Sequence, residues 1–377
     1  MSVQTANQPT KPQRRWDIDW LRVLATLLLI YYHSARIFYL WGGWYIQDNR
    51  KSIVVSYISL FIEQWHMPLF FLLAGAASWF ALRRRSGGQY VVERLKRLLV
   101  PCVFGVLVIV PPQIYFNLLK YRPSMAGSYF RFYPHFFDAN YTGGKFDMGH
   151  LWFILFLFVF SLVALPLFLY LRSDSGQRLL GKVAPIFCWP GMILTLAIPI
   201  IGMKAVPIDY PSPVYYLIYF IYGFILMANP RFEEAIGKHK VVALILGIAL
   251  FATWAALWST DVIQFDWIAP VRESVLAWLC LVALLGYGKR LLSFTNTFLT
   301  YFSRASYPLY IFHQTVIVII GFYVIKLAAG TMVKLALITA ASLMISIALY
   351  ELVKRTDVTR FLFGMRPLKK QPEASES

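Results

Sequence analysis

The stretch Asp19-Trp20-Leu21-Arg22-Val23-Leu24-Ala25-Thr26-Leu27-Leu28-Leu29-Ile30-Tyr31-Tyr32-His33-Ser34-Ala35-Arg36 decides how the rest of the chain is read. It is an apolar run of membrane-crossing length that nonetheless opens with Arg22 and carries His33 and Arg36. Similar runs of roughly 18 to 25 residues recur from Leu21 to Tyr350, the length that a hydrocarbon core of about 30 Å requires. They lack the alternation of barrel strands, and unpaired backbone groups are costly in lipid, so the expected fold is all-α, a polytopic bundle of membrane helices. Composition agrees: 59% of the residues are hydrophobic, 14% are charged, and the mean hydropathy is +0.59. A soluble chain of that make-up would have too little polar surface.

The net charge of +18 would point to nucleic acid in a soluble protein. In a membrane protein it reads first as orientation, and no nucleic-acid partner is expected. The polar residues 1–20 precede a run too interrupted for a cleavable leader, which makes that run an uncleaved signal anchor. Ten spans are expected, near 21–40, 53–82, 98–119, 150–171, 186–203, 214–228, 241–259, 271–287, 306–326 and 332–350. With the N-terminus inside, most Lys and Arg fall on cytoplasmic segments, notably Arg83 to Arg85, Arg94, Lys96, Arg97 and the tail from Lys354 to Lys370. An even number of spans returns the C-terminus to the same side. The chain divides into a cytoplasmic segment 1–20, a membrane domain 21–350 and a basic cytoplasmic tail 351–377.

Arg22 and His33 are eleven residues apart, which on a helix is roughly 20° of net rotation and about 16 Å of rise. They share a face, and if Arg22 marks the boundary His33 lies near mid-membrane. Asp19 falls near the same stripe and could pair with Arg22. Ionisable groups at membrane depth usually face a cavity, a substrate or a partner, whereas a packed, hydrogen-bonded His is the bland alternative. His66, beside the helix-bending Pro68, His150 at the outer start of span four, and His313, about two turns into span nine, add three more boundary or buried imidazoles. Glu63 and Glu351 are the carboxylates that could orient one of them. No spacing of His, Cys or carboxylates fits a metal site, and Cys102, Cys188 and Cys280 read as buried apolar residues without a disulfide.

On the inner side, Arg94 and Arg97 form an i, i+3 pair that would point two guanidinium forks the same way, beside Arg83, Arg84 and Arg85. Such a pair suits phosphate groups; the bland reading of the triplet is topological charge. On the outer side, Lys120 to Gly149 is rich in aromatics, among them Tyr121, Tyr129, Phe130, Phe132, Tyr133, Phe136, Phe137 and Tyr141. These form either an interfacial belt or a platform for a sugar-like acceptor.

Asp19-x-x-Arg22 with Arg22-x10-His33, His66-Met-Pro-Leu-Phe-Phe-Leu-Leu-Ala-Gly75, Arg94-x-x-Arg97 with Pro101, His150-Leu-Trp-Phe and Ser306-Tyr-Pro-Leu-Tyr-Ile-Phe-His313 together resemble the membrane acyltransferase-3 family over nearly the whole chain. The tail Leu349-Tyr350-Glu351 and Phe361-Leu362-Phe363-Gly364 resembles its branch that succinylates periplasmic glucans. The resemblance implies acyl transfer across a bacterial inner membrane, from cytosolic acetyl- or succinyl-CoA to a hydroxyl of an external carbohydrate, with no permanently bound cofactor. It implies His33 as base or acyl carrier, with Arg22 and His313 in the catalytic group and Arg94, Arg97 and Arg84 on the CoA phosphates. Asp19, His66, His150, Glu63 and Glu351 would support them. A transporter or flippase using the same buried His and Arg is the competing reading, and would show transport without an acyl donor.

Overall fold

The computed structural model describes residues 14–138, 147–208, 212–260 and 268–368. Residues 1–13, Tyr141 and the tail from Lys369 onward therefore lie outside the described residues. Among the described residues there is no β-strand. The chain runs through α1 (Trp16–Ala35), α2 (Ile53–Leu82) and α3 (Gly87–Arg94), then a π-turn (Leu95–Leu99), α4 (Val100–Val108) and α5 (Pro111–Tyr121). There follow α6 (Trp152–Val163), α7 (Leu165–Arg172), α8 (Asp174–Val183), α9 (Ala197–Lys204) and α10 (Pro213–Ala228). The last five are α11 (Pro230–Ser259), α12 (Ala269–Leu291), α13 (Thr297–Val324), α14 (Thr331–Val353) and the short α15 (Asp357–Leu362).

Among the described residues, seven stretches are long and apolar enough to cross a membrane, nine if each bent pair counts as one span, and α10 adds a shorter apolar helix. This is the expected polytopic bundle, but not ten straight rods. The pair Gly149–Val163 and Leu165–Arg172 bends by 52°, where Pro166 lacks the amide that would continue the ladder. The pair Asp174–Cys188 and Met192–Lys204 turns by 119°, at Trp189-Pro190-Gly191, with Gly191 at φ +78°. The fifth expected span is thus a broken one.

Helix ends sort onto two faces. On one, Glu233 joins Arg15 and Lys289, tying the starts of α1 and α11 to the end of α12, and Arg172 caps carbonyls of Leu82 and Arg85. On the other, Lys334 pairs with Asp48 and Lys204 with Glu273. The first face carries Arg83 to Arg85 and Arg94 to Arg97, which the positive-inside rule makes cytoplasmic. The end of α14 returns to it.

Two helix starts differ from expectation, and both move a histidine. Helix α1 begins at Trp16, five residues before the apolar run, because Asp17 and Asp19 favour a helix N-terminus and Arg15 neutralises Asp17 at 2.7 Å. His33 consequently lies in the last turn of α1, toward the outer face rather than at mid-membrane. Helix α13 begins at Thr297, with the Asn296 side chain accepting from the Leu299 amide at 2.8 Å, a standard N-cap. His313 therefore stands sixteen residues in, on the outer half, and not two turns from the cytoplasmic end.

The tightest helix crossing is made by two glycines. A Cβ on Gly75 of α2 would stand 1.9 Å from the Phe220 carbonyl oxygen of α10, and one on Gly223 would stand 1.8 Å from that of Leu72. Lipid gives helices no hydrophobic reason to associate, so such backbone-to-backbone packing is what locks them together.

Candidate active site

Three helices bring three imidazoles together on the outer half of the bundle. His33 comes from α1 and His313 from α13, with Nε2 of His313 3.1 Å from Nδ1 of His33. The His150 ring, at the start of α6, stands with its centroid 4.9 Å from that of His313. His313 is fully buried and His150 nearly so, whereas His33 is only half-buried. His33 is the most exposed of the three.

The direction of the hydrogen bonds follows from what carbonyls can do. His313 Nδ1 lies 2.6 Å from the Tyr310 carbonyl, which only accepts, so Nδ1 carries the His313 proton. Its Nε2 in the neutral ring is then an acceptor, and His33 Nδ1 must donate to it. The Leu29 carbonyl, one turn back, bonds the same His33 ring and can share that donor. The lone pair of His33 is left on Nε2.

His150 is fixed by the same logic. Its Nε2 donates to the Ile311 carbonyl at 2.9 Å, and its Nδ1 faces the Gln113 amide at 3.5 Å. Gln113, fully buried, also donates to Thr315 Oγ1 at 2.7 Å and accepts from Gln314 Nε2 at 2.8 Å. Buried amides so completely partnered hold α5, α6 and α13 in one register. His66 is a neighbour rather than a member: its Nε2 donates to the Ala25 carbonyl at 2.8 Å, tying α2 to α1.

A loop between α1 and α2, residues 39–52, covers the imidazoles. The Trp44 ring stacks on His33 with centroids 5.9 Å apart and planes 23° from parallel. Tyr45 donates to Asp147 and contacts Gln314, and its carbonyl accepts from Asn117 at 2.7 Å. Burial, and then the Asp147 carboxylate, push the Tyr45 phenol well above its ordinary range, so it stays a donor. The loop is anchored by Lys334 Nζ, which lies 2.6 Å from Asp48 and 2.8 Å from the Ile325 carbonyl.

The remaining sequence-derived residues fall elsewhere. Arg22 pairs with Asp19 at 2.8 Å, as expected, but eleven residues of helix rise keep both from the imidazoles. Glu63 pairs with Arg36 at 3.5 Å, and Glu351 binds Lys354 and Tyr301 on the cytoplasmic face; neither carboxylate orients His33. Arg94 and Arg97 take different partners: Arg94 ends α3, and Arg97 lies inside the π-turn, so the spacing between them is not α-helical. Arg94 reaches Ser78 Oγ at 3.3 Å across the Tyr90 ring, while Arg97 pairs with Glu93 at 3.6 Å. Of the triplet, Arg85 turns inward to Glu93 at 3.1 Å and Arg84 is exposed. In the external segment Phe132 and Phe136 are fully buried and Phe130 is 88% exposed, so it is mostly a packed aromatic knot rather than an open platform.

Sequence reasoning noted Arg36 without giving it a role, and passed over Trp44, Tyr45, Gln113, Asp147 and Gln314. Arg36 stands one turn after His33, over the Tyr39 ring at 4.1 Å, and its charge bears on His33. The polar atoms of Gln113 and Gln314 inside apolar runs were the available signal, by the same rule that singled out the histidines.

A family model described as an acyltransferase domain matches residues 15–351. The chain belongs to this acyltransferase family, and it is a multi-pass membrane enzyme. Among curated relatives, Glucans biosynthesis protein C of Escherichia coli strain SMS-3-5 is 24% identical over 383 residues, covering 96% of this chain and 97% of the relative. The proteins of the same name from strain 536 and strain K12 are each 23% identical, again over 96% of this chain and 97% of their own length. No solved structure matches.

Proposed function

We propose that this enzyme moves an acyl group, succinyl or acetyl, from a cytosolic acyl-CoA to a hydroxyl of an extracytoplasmic glucan or related carbohydrate, in a bacterial inner membrane. The observation that carries the reading is the one-way chain Tyr310 carbonyl, His313, His33, which leaves Nε2 of His33 as a base on the outer half of the bundle. His33 Nε2 takes the proton of the acceptor hydroxyl as its oxygen attacks the thioester carbonyl. The tetrahedral intermediate collapses, and the imidazolium returns the proton to the departing CoA thiolate. His313 accepts from Nδ1 throughout and favours the charged ring. Arg36 is the cation whose field reaches the same place, and it would offset charge on the carbonyl oxygen.

The two faces divide the substrates. The arginines beside the π-turn offer forks to the phosphates of the donor, and the Trp44 and Tyr45 loop meets the acceptor from outside. The name of the relatives concerns glucans, which supports a glucan acceptor. Incubating the purified enzyme with labelled succinyl- or acetyl-CoA and a panel of glucans tests this: an O-linked ester on glucan is expected. Movement of unmodified glucan with no ester formed would favour the transporter reading.

A further inference from the structure

The tail motif Phe361-Leu362-Phe363-Gly364 plays no part in the chemistry above, yet it makes one of the closest contacts in the molecule. Helix α15 folds back beneath the cytoplasmic face. The Arg360 guanidinium braces the turn by donating to the carbonyls of Lys354 and Arg366. Phe363, 4% exposed, inserts between Phe104 and Phe312, with ring centroids 5.4 and 4.6 Å away. Gly364 follows at φ +64°, and a Cβ there would stand 2.8 Å from the Arg97 carbonyl oxygen and 2.7 Å from the Tyr307 ring. Only glycine fits, on both counts.

The carbonyl that Gly364 approaches belongs to the π-turn and accepts from the Tyr307 hydroxyl at 2.8 Å. Turns of this kind interrupt helices mostly where function needs a side chain redirected. Docking there delivers Arg366, an exposed residue, to a place where its charge bears on Arg97 alongside those of Arg85 and Arg94. Glu93 bridges Arg85 and Arg97, whereas Arg366 makes no ion pair among the described residues and the Arg94 Nε is buried without a partner. Arg85, Arg94 and Arg366 all bear on Arg97, and like charges so placed repel one another unless an anion joins them.

We propose that the C-terminal tail is part of the donor site: Phe363 and Gly364 dock it on the π-turn so that Arg366 joins Arg85, Arg94 and Arg97 on the phosphates of a polyphosphorylated acyl carrier. The proposal rests on the acyl-CoA reading above. Topological charge alone would need neither the buried Phe363 nor the glycine contact.

The test is calorimetric binding of CoA to the purified full-length protein in detergent, comparing wild type with Arg366→Ala, Arg366→Lys, Gly364→Val and Arg97→Ala. Arg366→Ala is expected to weaken binding about tenfold, as loss of one charge-assisted contact does, with partial recovery in Arg366→Lys. Gly364→Val is expected to weaken it at least as much; should that variant not fold, the exposed Arg366 decides alone. Wild-type affinity in Arg366→Ala overturns the proposal if Arg97→Ala still loses affinity. Wild-type affinity in both Arg366→Ala and Arg97→Ala overturns the donor-site reading with it.

Discussion

His313 accepts a hydrogen bond from His33 across 3.1 Å while giving its own proton to the Tyr310 carbonyl, and this relationship fixes which nitrogen of His33 keeps its lone pair. Replacing His313 by Ala frees the His33 ring to rotate and change tautomer. Acyl transfer should then fall on the order of 10²-fold, the cost of a misplaced catalytic group. His313→Gln, whose side-chain oxygen can still accept, should recover part of it. Steady-state kcat at saturating donor, with circular dichroism to confirm folding, checks both variants.

In the proposed mechanism His33 acts as a base only when its imidazole is neutral. The wild-type rate should therefore decline on acidification, as the base gains its proton, and recover on return to neutral pH. In His313→Ala the midpoint of that decline should shift, because the group that favours the charged ring is gone. A pH profile of kcat/KM reads this out; identical midpoints would reduce His313 to a packing role.

The loop over the site is anchored at its far end by a buried ion pair. The Lys334 and Asp48 side chains are 5% and 4% exposed and 2.6 Å apart. Asp48→Ala leaves a buried, unpaired ammonium, which costs about 3–5 kcal/mol. A clear fall in thermal midpoint is expected. With Trp44 no longer held over His33, activity at temperatures where the variant remains folded should fall as well.

Gly75 and Gly223 press α2 and α10 backbone to backbone. Gly75→Ala places a methyl 1.9 Å from the Phe220 carbonyl oxygen, a position that no rotamer can relieve. The helices must separate, at a cost of about 1–3 kcal/mol or more. Denaturation in detergent should show a lower midpoint for this variant than for Gly202→Ala, where nothing lies within 4 Å of the added Cβ.

Much of this architecture is legible in the apolar runs, because a bilayer imposes their length on any helix that crosses it. The helix starts are not, since their stability comes from distant partners. Trp16 to Asp19 look too polar to belong to a span until Arg15 and Glu233 are seen to close around them, and their error of five residues misplaced His33 in depth. His33 and His313 were each picked out as polar groups in lipid, but 280 residues separate them in the chain. Only packing could show them paired. Arg94 and Arg97 illustrate a different limit: their spacing assumed an α-helix, and the π-turn at Leu95–Leu99 breaks it. Glu351 was a plausible partner for a histidine in sequence and lies on the wrong face.

The most direct test compares wild type with His33→Ala, both purified and folded, for transfer of labelled acyl groups from acyl-CoA to glucan. Loss of a general base should slow transfer by about 10²–10⁴-fold while leaving CoA binding intact. Transfer by His33→Ala at the wild-type rate would contradict the assignment of His33 as the catalytic base.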